Sequence, residues 1–542
     1  MSTVDKPASE LPANSAFVSR APSRRSVMKG VAWTTPLAAV AVAAPAVAVS
    51  PTDCQPAGTE FTARAGAQFL SGTIGGAELA SAGTIALEQT PAEGPASTGS
   101  ALNVGLLDSI NLDATGLAGV VSDLLDITVG QDAGLINQFA QAIPAAAAQG
   151  SEGEATAEIG AAGAVSQATG AVSLSDSGAA APTLGTIDLR TLVDELTETP
   201  EVSALLSSVT DLRLQIGALA GRAFMDSLCE IPDPEDPAAV QRDYNLSYVR
   251  LAAESPTVGA AVTGINDILG DELTIGNDVL ADALEPLTGT IPGLGPVVDL
   301  LTRVLGGIVT ANVTVDTGAV TSSAIPADPG APVRLLLGGG GTPAQLVLDV
   351  GPLLGYPYTG AGGGLNGLAP NTQLLAGGDP LTADSATLVA DLVNALIDQA
   401  SDNITIDISA LSLLGAGLIN IQGTITDLLN GGGTVTVAGT LVTGDARDDL
   451  LDNLLGAVQT TIADSLDTAL DGLQDLLSTI FTAINDILSL TVNAQSEPVI
   501  GDSPFDVAPG RFDVAPLHVS LIDAVDLLDL TVARGYVGPN DA

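Results

Sequence analysis

The most regular hydrophobic pattern in the chain runs from Leu451 to Leu488. Its apolar residues step by three or four positions, the spacing of one face of an α-helix, and aspartates fill the opposite face. We therefore predict one long amphipathic helix over residues 446–488. At 1.5 Å of rise per residue it reaches roughly 60 Å, far beyond an average globular helix.

Alternating apolar and polar residues flank this helix and predict strands at 434–439 and 489–494. The same order, a helix followed by a strand with a Thr-Val or Thr-Ile pair, recurs at 382–399 and 403–408. Strands that alternate with helices are typical of a sheet covered by helices. We expect the apolar face of the long helix to pack on these three strands.

Short strand patterns separated by glycine turns dominate the first half of the chain. The predicted fold class is mixed α/β and β, with a β-rich N-terminal region and an α/β region of strands covered by long amphipathic helices. The predicted divisions are a signal peptide at 1–48, the β-rich region at 49–265, the α/β region at 266–495, and a C-terminal strand tail at 496–542 that packs back on the N-terminal region.

The N-terminus carries an export pattern. Ser23, Arg24, Arg25, Val27 and Lys29 match the twin-arginine signal, and a modestly apolar run follows. This run is short and interrupted by prolines, which favours a cleaved signal peptide over a membrane anchor.

Small residues at Ala46 and Ala48 predict cleavage after Ala48. The mature chain then has eleven arginines, no lysine and 61 acidic residues, a net charge of −50. Such a surface repels nucleic acid and anionic lipid headgroups. We therefore expect no nucleic-acid partner, no membrane span in the mature chain, and the twin-arginine translocase as the partner during export.

The chain has two cysteines, Cys54 and Cys229. In an exported protein two cysteines predict one disulfide, with two free thiols as the alternative.

Acidic residues cluster beside Cys229 and form a weak candidate calcium loop, although no EF-hand pattern is present and a solvated, proline-stiffened loop explains the same residues. The cluster comprises Asp226, Glu230, Asp233, Glu235 and Asp236. We otherwise expect no cofactor.

Several chemistries lack the residues they need. His518 is the only histidine, too few for a zinc site, and no G-x-S-x-G segment accompanies it. The glycine run at 338–341 lacks a Walker lysine because the mature chain has no lysine. A structural role for His518 is the simplest interpretation, and we predict no catalytic residues and no enzyme.

The segment Gly367–Leu375, followed by the helix at 382–399 and the strand at 403–408, resembles actinobacterial exported surface proteins of the choice-of-anchor G family. The segments Gly221–Phe224 and Asp526–Gly535 fit the same resemblance. The resemblance implies an exported body that attaches to the cell envelope and carries no known catalytic residues. We recognise no C-terminal anchor, which favours release or non-covalent contact with the wall.

The sequence thus predicts a secreted, non-enzymatic cell-surface or extracellular protein with a structural or adhesive role. Two alternatives remain open at this stage. A secreted hydrolase would need only two carboxylates. An extracellular lipid or glycolipid carrier would use the apolar helix faces to line a groove.

The predicted disulfide can be tested directly. Cys54 and Cys229 are about 175 residues apart, and in the chain-entropy model a bond closing such a loop contributes roughly 5 kcal/mol. We expect mass spectrometry of the unreduced mature protein to find the two cysteine peptides joined. The C54S/C229S variant should unfold at lower urea concentration than the oxidised wild type and match the reduced one. Two alkylated thiols in the untreated protein would refute the bond.

Overall fold

The structure is a computed structural model of the chain. It describes residues 60–75, 77–79, 84–101, 124–127, 136–144, 157–172, 178–194, 200–226, 240–270, 273–275, 285, 288–289, 295, 311–315, 324–338, 341–358, 363–375, 381, 383–401, 404–412, 417–437, 440–496, 503–505, 507–522 and 527–540.

The strands are β1 Ala63–Ile74, β2 Ala77–Glu78, β3 Thr84–Gln89, β4 Ala96–Ala101, β5 Leu125–Ile127, β6 Asn137–Ala142, β7 Ala157–Gly163, β8 Thr183–Asp188, β9 Asp211–Gly217, β10 Leu219–Asp226, β11 Val240–Leu246, β12 Val249–Glu254, β13 Leu273–Ile275, β14 Ala311–Val315, β15 Ala324–Ile325, β16 Val333–Leu336, β17 Gln345–Asp349, β18 Thr372–Gln373, β19 Ile404–Ser412, β20 Gly417–Thr424, β21 Thr434–Val437, β22 Thr440–Leu441, β23 Leu488–Gln495, β24 Phe512–Leu521 and β25 Leu528–Val537. The helices are α1 Leu189–Asp194, α2 Pro200–Ser208, α3 Pro256–Gly270, α4 Val350–Leu353, α5 Ser385–Ser401, α6 Ile425–Leu429 and α7 Asp445–Ile487.

The described strands form four sheets with antiparallel pairing. Sheet 1 has the order β18-β23-β24-β25-β1-β2, with β3 also paired to β1. Sheet 2 is β11-β10-β7-β6-β4, sheet 3 is β15-β16-β17-β12-β9-β8-β5, and sheet 4 is β13-β14-β19-β20-β21-β22. The fold is therefore mixed and dominated by antiparallel β-structure, with a few helices.

Sheet 1 joins the two ends of the described chain. Strand β1 pairs with β25 from Ala65 opposite Val537 to Ile74 opposite Leu528. Strand β24 then pairs with both β25 and β23. The long helix α7 leads directly into β23, so the same sheet also fixes the end of that helix.

Sheets 1 and 2 face each other at unusually short range. Residues of β1 and β25 lie with their Cα atoms within 8 Å of β7, whereas stacked sheets are typically about 10 Å apart. Small residues make this approach possible. A Cβ atom added to Gly160 would lie 2.2 Å from the carbonyl oxygens of Gly66 and Tyr536, and one added to Gly535 would lie 2.2 Å from that of Gly160.

Helix α7 packs mainly against other helices. It contacts α3, α5 and α2 far more extensively than any strand. The prediction that its apolar face packs mainly on strands 434–439, 489–494 and 403–408 is therefore wrong. The reason is visible where α7 crosses α3. A Cβ on Gly264 would lie 2.8 Å from that of Ala469, so small residues let the two helices approach closely.

The faces of α7 follow the hydrophobic pattern. Leu466, Leu470, Leu473, Leu477 and Ile480 are buried in the main core, together with residues of sheets 1 and 3. Aspartates at 452, 464, 467, 471 and 475 are exposed. The helix spans Asp445–Ile487, within one residue of the predicted bounds at each end.

In the part of the chain that the structure describes, no helix combines the length and the apolar character needed to cross a membrane.

Gly160→Ala tests the short-range contact between sheets 1 and 2. The added methyl group would meet backbone oxygens, which cannot rotate away, so we expect a loss of about 1–3 kcal/mol or more in urea-unfolding experiments. Gly259→Ala is the matched control. It lies in α3 with open space around its Cα, and its replacement should stabilise the protein by about 0.5–1 kcal/mol. Equal stability of wild type and Gly160→Ala would contradict the contact.

Candidate functional site

The most highly charged buried cluster in the described chain surrounds Asp513, near the start of β24. This side chain is fully buried. Arg511 donates to both carboxylate oxygens, with Nε at 3.2 and 3.1 Å and one terminal nitrogen at 2.9 Å from Oδ1. Arg534 of β25 donates from Nε to Oδ1 at 2.7 Å. Two arginines therefore hold one carboxylate.

A third arginine reaches the cluster from the other sheet. Arg242 of β11 donates to the carbonyl oxygen of Ser496 at 2.8 Å. The Ser496 hydroxyl accepts from the backbone N–H of Asp513 at 2.8 Å and donates to the carbonyl of Arg511 at 3.0 Å. Ser496 thus joins the end of β23 and the start of β24 to the edge strand of sheet 2.

The environment of Arg242 changes its acidity but not its charge at neutral pH. Burial lowers the pKa of the Arg242 guanidinium to about 10, against the opposing effect of the Asp513 carboxylate. The group stays protonated at neutral pH because this value is still well above 7.

Each of the three guanidinium groups stacks on an aromatic ring. Arg511 lies 3.8 Å from the ring centroid of Tyr536, Arg534 lies 4.3 Å from that of Phe505, and Arg242 lies 5.7 Å from that of Phe512. Stacking holds a guanidinium plane in place and leaves its N–H groups pointing outward from the ring axis. We call Arg242, Arg511, Arg534 and Asp513 the arginine cluster.

Buried amides lie next to the arginine cluster at the end of β23. The backbone N–H of Gln495 donates to Asn371 Oδ1 at 2.7 Å, and its side chain donates to Asn493 Oδ1 at 2.7 Å. Asn371 and Asn493 have φ angles of 55° and 54°, a left-handed conformation that asparagine tolerates better than most residues. These bonds fix the segment before β18 against the strand that leads into Ser496.

A second buried ion pair lies in sheet 3. Arg250 donates from Nε to Asp349 Oδ2 at 2.7 Å, and the Tyr358 hydroxyl donates to the same carboxylate at 2.8 Å. Burial raises the pKa of the Asp349 carboxyl, and the charge of Arg250 acts in the opposite direction. Arg250 also donates to the carbonyls of Ala179 and Pro329, both at 2.8 Å. This group ties three loops to the sheet and has a structural role.

His518 lies in β24 and makes a cross-strand contact with β25. Its Nε2 is 2.9 Å from Asp529 Oδ1. Ser520 is opposite Asp529 in the strand register, yet within the described residues His518 makes no hydrogen bond to it. A nucleophilic serine requires that hydrogen bond to a base, so this geometry supports the structural interpretation of His518.

Most of the residues singled out from the sequence lie outside the described part of the chain. Among the acidic residues of the candidate calcium loop only Asp226 is described, as the last residue of β10, with its backbone opposite Ala157. No group of three or more metal-ligating side chains occurs among the residues that the structure describes. The predicted site residues that lie outside the described part of the chain are Ser23, Arg24, Arg25, Val27, Lys29, Ala46, Ala48, Cys54, Cys229, Glu230, Asp233, Glu235 and Asp236.

The sequence interpretation missed the arginine cluster, although part of its signal was present. Arg511 and Asp513 are two positions apart in a strand, so their side chains share one face. They also open the second copy of a repeated phrase, residues 511–516, whose first copy at 504–509 contributes Phe505. Arg534 and Arg242 come from two other strands, and no spacing along the chain connects them to Asp513.

The geometry defines an antiparallel β-rich protein in which a β-sandwich is joined to a helical layer, with an arginine cluster at the edge of the sandwich. A family model described as a domain of unknown function, DUF8394, matches residues 65–538. The chain belongs to this family. The matched range begins in β1 and ends just after β25, the two strands whose pairing closes sheet 1. Comparisons with curated proteins and with solved structures gave no match.

The structural role of Asp513 can be measured. Asp513→Asn keeps the shape but removes the charge that holds Arg511 and Arg534, so two partly buried cations lose their counter-ion. We expect a loss of about 3–5 kcal/mol in urea unfolding. Asp467→Asn makes the same chemical change on the exposed face of α7 and should leave stability unchanged. If the two variants unfold alike, Asp513 does not hold the strands together.

Proposed function

We propose that this protein is an exported, non-enzymatic cell-surface or extracellular protein of structural or adhesive type. The observation that carries the proposal is that its buried charged groups hold distant segments of the chain together. Asp513 is held by two arginines, and Asp349 by Arg250 and Tyr358, and each group ties together segments that are distant in sequence. These carboxylates serve as fixed structural ties.

The proposed location rests on the N-terminal pattern and on charge. Arg24, Arg25 and Lys29 fit a twin-arginine signal, and Ala46 and Ala48 fit a cleavage site. The net charge of −50 that remains after cleavage keeps a protein soluble and monodisperse outside the cell. The twin-arginine translocase is the proposed partner during export, and a component of the cell envelope is the proposed partner afterwards.

The resemblance to choice-of-anchor G surface proteins supports attachment to an actinobacterial envelope. The segment 367–375 that carries this resemblance has a structural part here, since Asn371 is bonded to Gln495 and Thr372 pairs with Val492. The finer fold division belongs to the same proposal, with a β-rich region at 49–265, an α/β region at 266–495 that contains α5 and α7, and a C-terminal strand tail at 496–542.

Calcium at the loop around Cys229 stays a proposal that rests on the five acidic residues of the sequence. A carboxylate-dependent hydrolase and a lipid carrier remain the alternatives, and neither rests on a contact among the described residues.

Cell fractionation of a producing strain tests the export step. We expect the wild-type protein outside the cytoplasm, with a mature N-terminus at Val49 by mass spectrometry. The R24K/R25K variant should stay inside the cell with residues 1–48 attached, because the translocase reads the arginine pair. Arg20→Lys makes the same change just outside the motif and should be exported normally. Wild-type protein held in the membrane by an uncleaved apolar N-terminus would sink the proposal.

A further inference from the structure

We infer that Asn430 and Gly431 form a site of spontaneous chemical modification, at which the asparagine of the folded protein converts to aspartate and isoaspartate and the isoaspartate loosens the turn against α7. The pair lies in the turn that joins α6 to β21, and Asn430 is exposed there. The chain contains the Asn-Gly dipeptide at one other place, residues 366–367. The two sites are alike in sequence and differ in structure. The inference goes beyond the proposed function, because it holds wherever the protein works.

The reaction needs only the two residues and water, since asparagine is one of the chemically labile residues. The backbone nitrogen of Gly431 attacks Cγ of the Asn430 side chain, and the new C–N bond closes a five-membered succinimide ring. The side-chain nitrogen leaves as ammonia and takes the proton of the glycine N–H. Water then adds to one of the two ring carbonyls. One opening gives aspartate, and the other gives isoaspartate, in which the backbone runs through the former side chain.

The structure leaves the Asn430 amide free to react. Its side chain is exposed and makes no hydrogen bond to a described residue. The attacking N–H of Gly431 donates to the carbonyl of Leu428 at 3.4 Å, beyond the usual length of a protein hydrogen bond. Gly431 has no Cβ, and the space that a Cβ would occupy is open, so no side chain hinders the attack.

One firm hydrogen bond closes the turn. The N–H of Gly432 donates to the carbonyl of Asp427 at 2.7 Å. Attack requires rotation about the Asn430 backbone, where ψ is 9°, and three successive glycines at 431–433 give the turn the freedom for it. An exposed turn of this kind opens at a far lower free-energy cost than the global unfolding of the protein. Local opening is therefore sufficient for the reaction.

The second Asn-Gly pair, at 366–367, is held against the same reaction. The asparagine Oδ1 accepts from the N–H of Leu246 at 2.8 Å, and its Nδ2 donates to the carbonyls of Leu246 and Gly363, both at 3.2 Å. The next residue is fixed as well, because the Tyr244 hydroxyl accepts from the N–H of Leu368 at 2.7 Å. These bonds must break before the side chain can turn toward the glycine nitrogen. The fold therefore protects one pair and exposes the other.

The position of the exposed pair gives the modification a structural consequence. The Arg447 guanidinium of α7 donates to the carbonyls of Leu428 and Gly432, which lie on either side of Asn430. Isoaspartate lengthens the backbone between these two carbonyls by one carbon atom, so one terminal nitrogen can no longer bond both in the same geometry. The contact between the turn and α7 is therefore weakened in the isoaspartate product.

Peptide mapping of the purified mature protein after incubation at mildly alkaline pH tests the site. Cleavage before aspartates places the two pairs on separate peptides, 427–444 and 349–378. In the folded protein we expect peptide 427–444 to disappear progressively. The aspartate product gives a piece that begins at residue 430, and the isoaspartate product gives an uncut peptide with the mass of the acid. Peptide 349–378 should convert at least about tenfold more slowly, because its hydrogen bonds must break first.

Incubation of the same protein in urea is the matched control. Unfolding removes the bonds that hold the pair at 366–367, so both peptides should then convert at similar rates. This arm shows that the two pairs have the same chemical reactivity. An unchanged peptide 427–444 in the folded protein, while the unfolded protein converts, would overturn the inference. Equal conversion of the two peptides in the folded protein would overturn it as well.

Amide hydrogen exchange tests the loosening of the turn. In protein enriched in isoaspartate we expect the amides of β21 to exchange about tenfold faster than in the unmodified protein, the effect of losing one hydrogen bond of a charged group. Asn430→Asp adds the negative charge without lengthening the backbone and should exchange as slowly as the wild type. Slow exchange of β21 in the isoaspartate form, or equally fast exchange in Asn430→Asp, would refute the effect of the longer backbone.

Discussion

The short distance between sheets 1 and 2 is the constraint on which the rest of the structure depends. Gly160, Gly66 and Gly535 let backbone face backbone, and a single methyl group at Gly160 would occupy the space of a carbonyl oxygen. An interface of this kind buries little apolar area per residue, so its stability relies on the fit of many small contacts.

Buried charged groups also fix strands and loops relative to each other, beside the apolar packing of Phe61, Met225 and Phe512 in the sandwich. Asp513 ties two strands of sheet 1, and Asp349 ties sheet 3 to three loops. Buried ion pairs add little net stability, but breaking one is costly, so they select one arrangement of the strands.

The sequence interpretation was most successful where a local pattern carries the information. Helix α7 follows its three-and-four spacing, and β9 follows its alternation, with Leu212, Leu214 and Ile216 buried between outward-facing neighbours. The sequence did not predict the packing partners of α7, since the same apolar face fits a sheet or other helices equally well. It assigned no particular strand to residues 157–163, which form β7, because alanine and glycine carry almost no hydrophobic period.

The sequence alone determined the amphipathic helix, the acidic surface and the export pattern, because each depends on residues close together in the chain. It also predicted a mixed α/β and β fold with a β-rich N-terminal region. Only the tertiary structure decided that β1 closes on β25, that Gly160 faces Gly66, and that Arg242 reaches Ser496. These contacts join residues far apart in sequence and depend on side-chain volume and strand register. The long helix of the opening pattern thus belongs to a helical layer, fixed at its end by the sheet that the two chain ends complete.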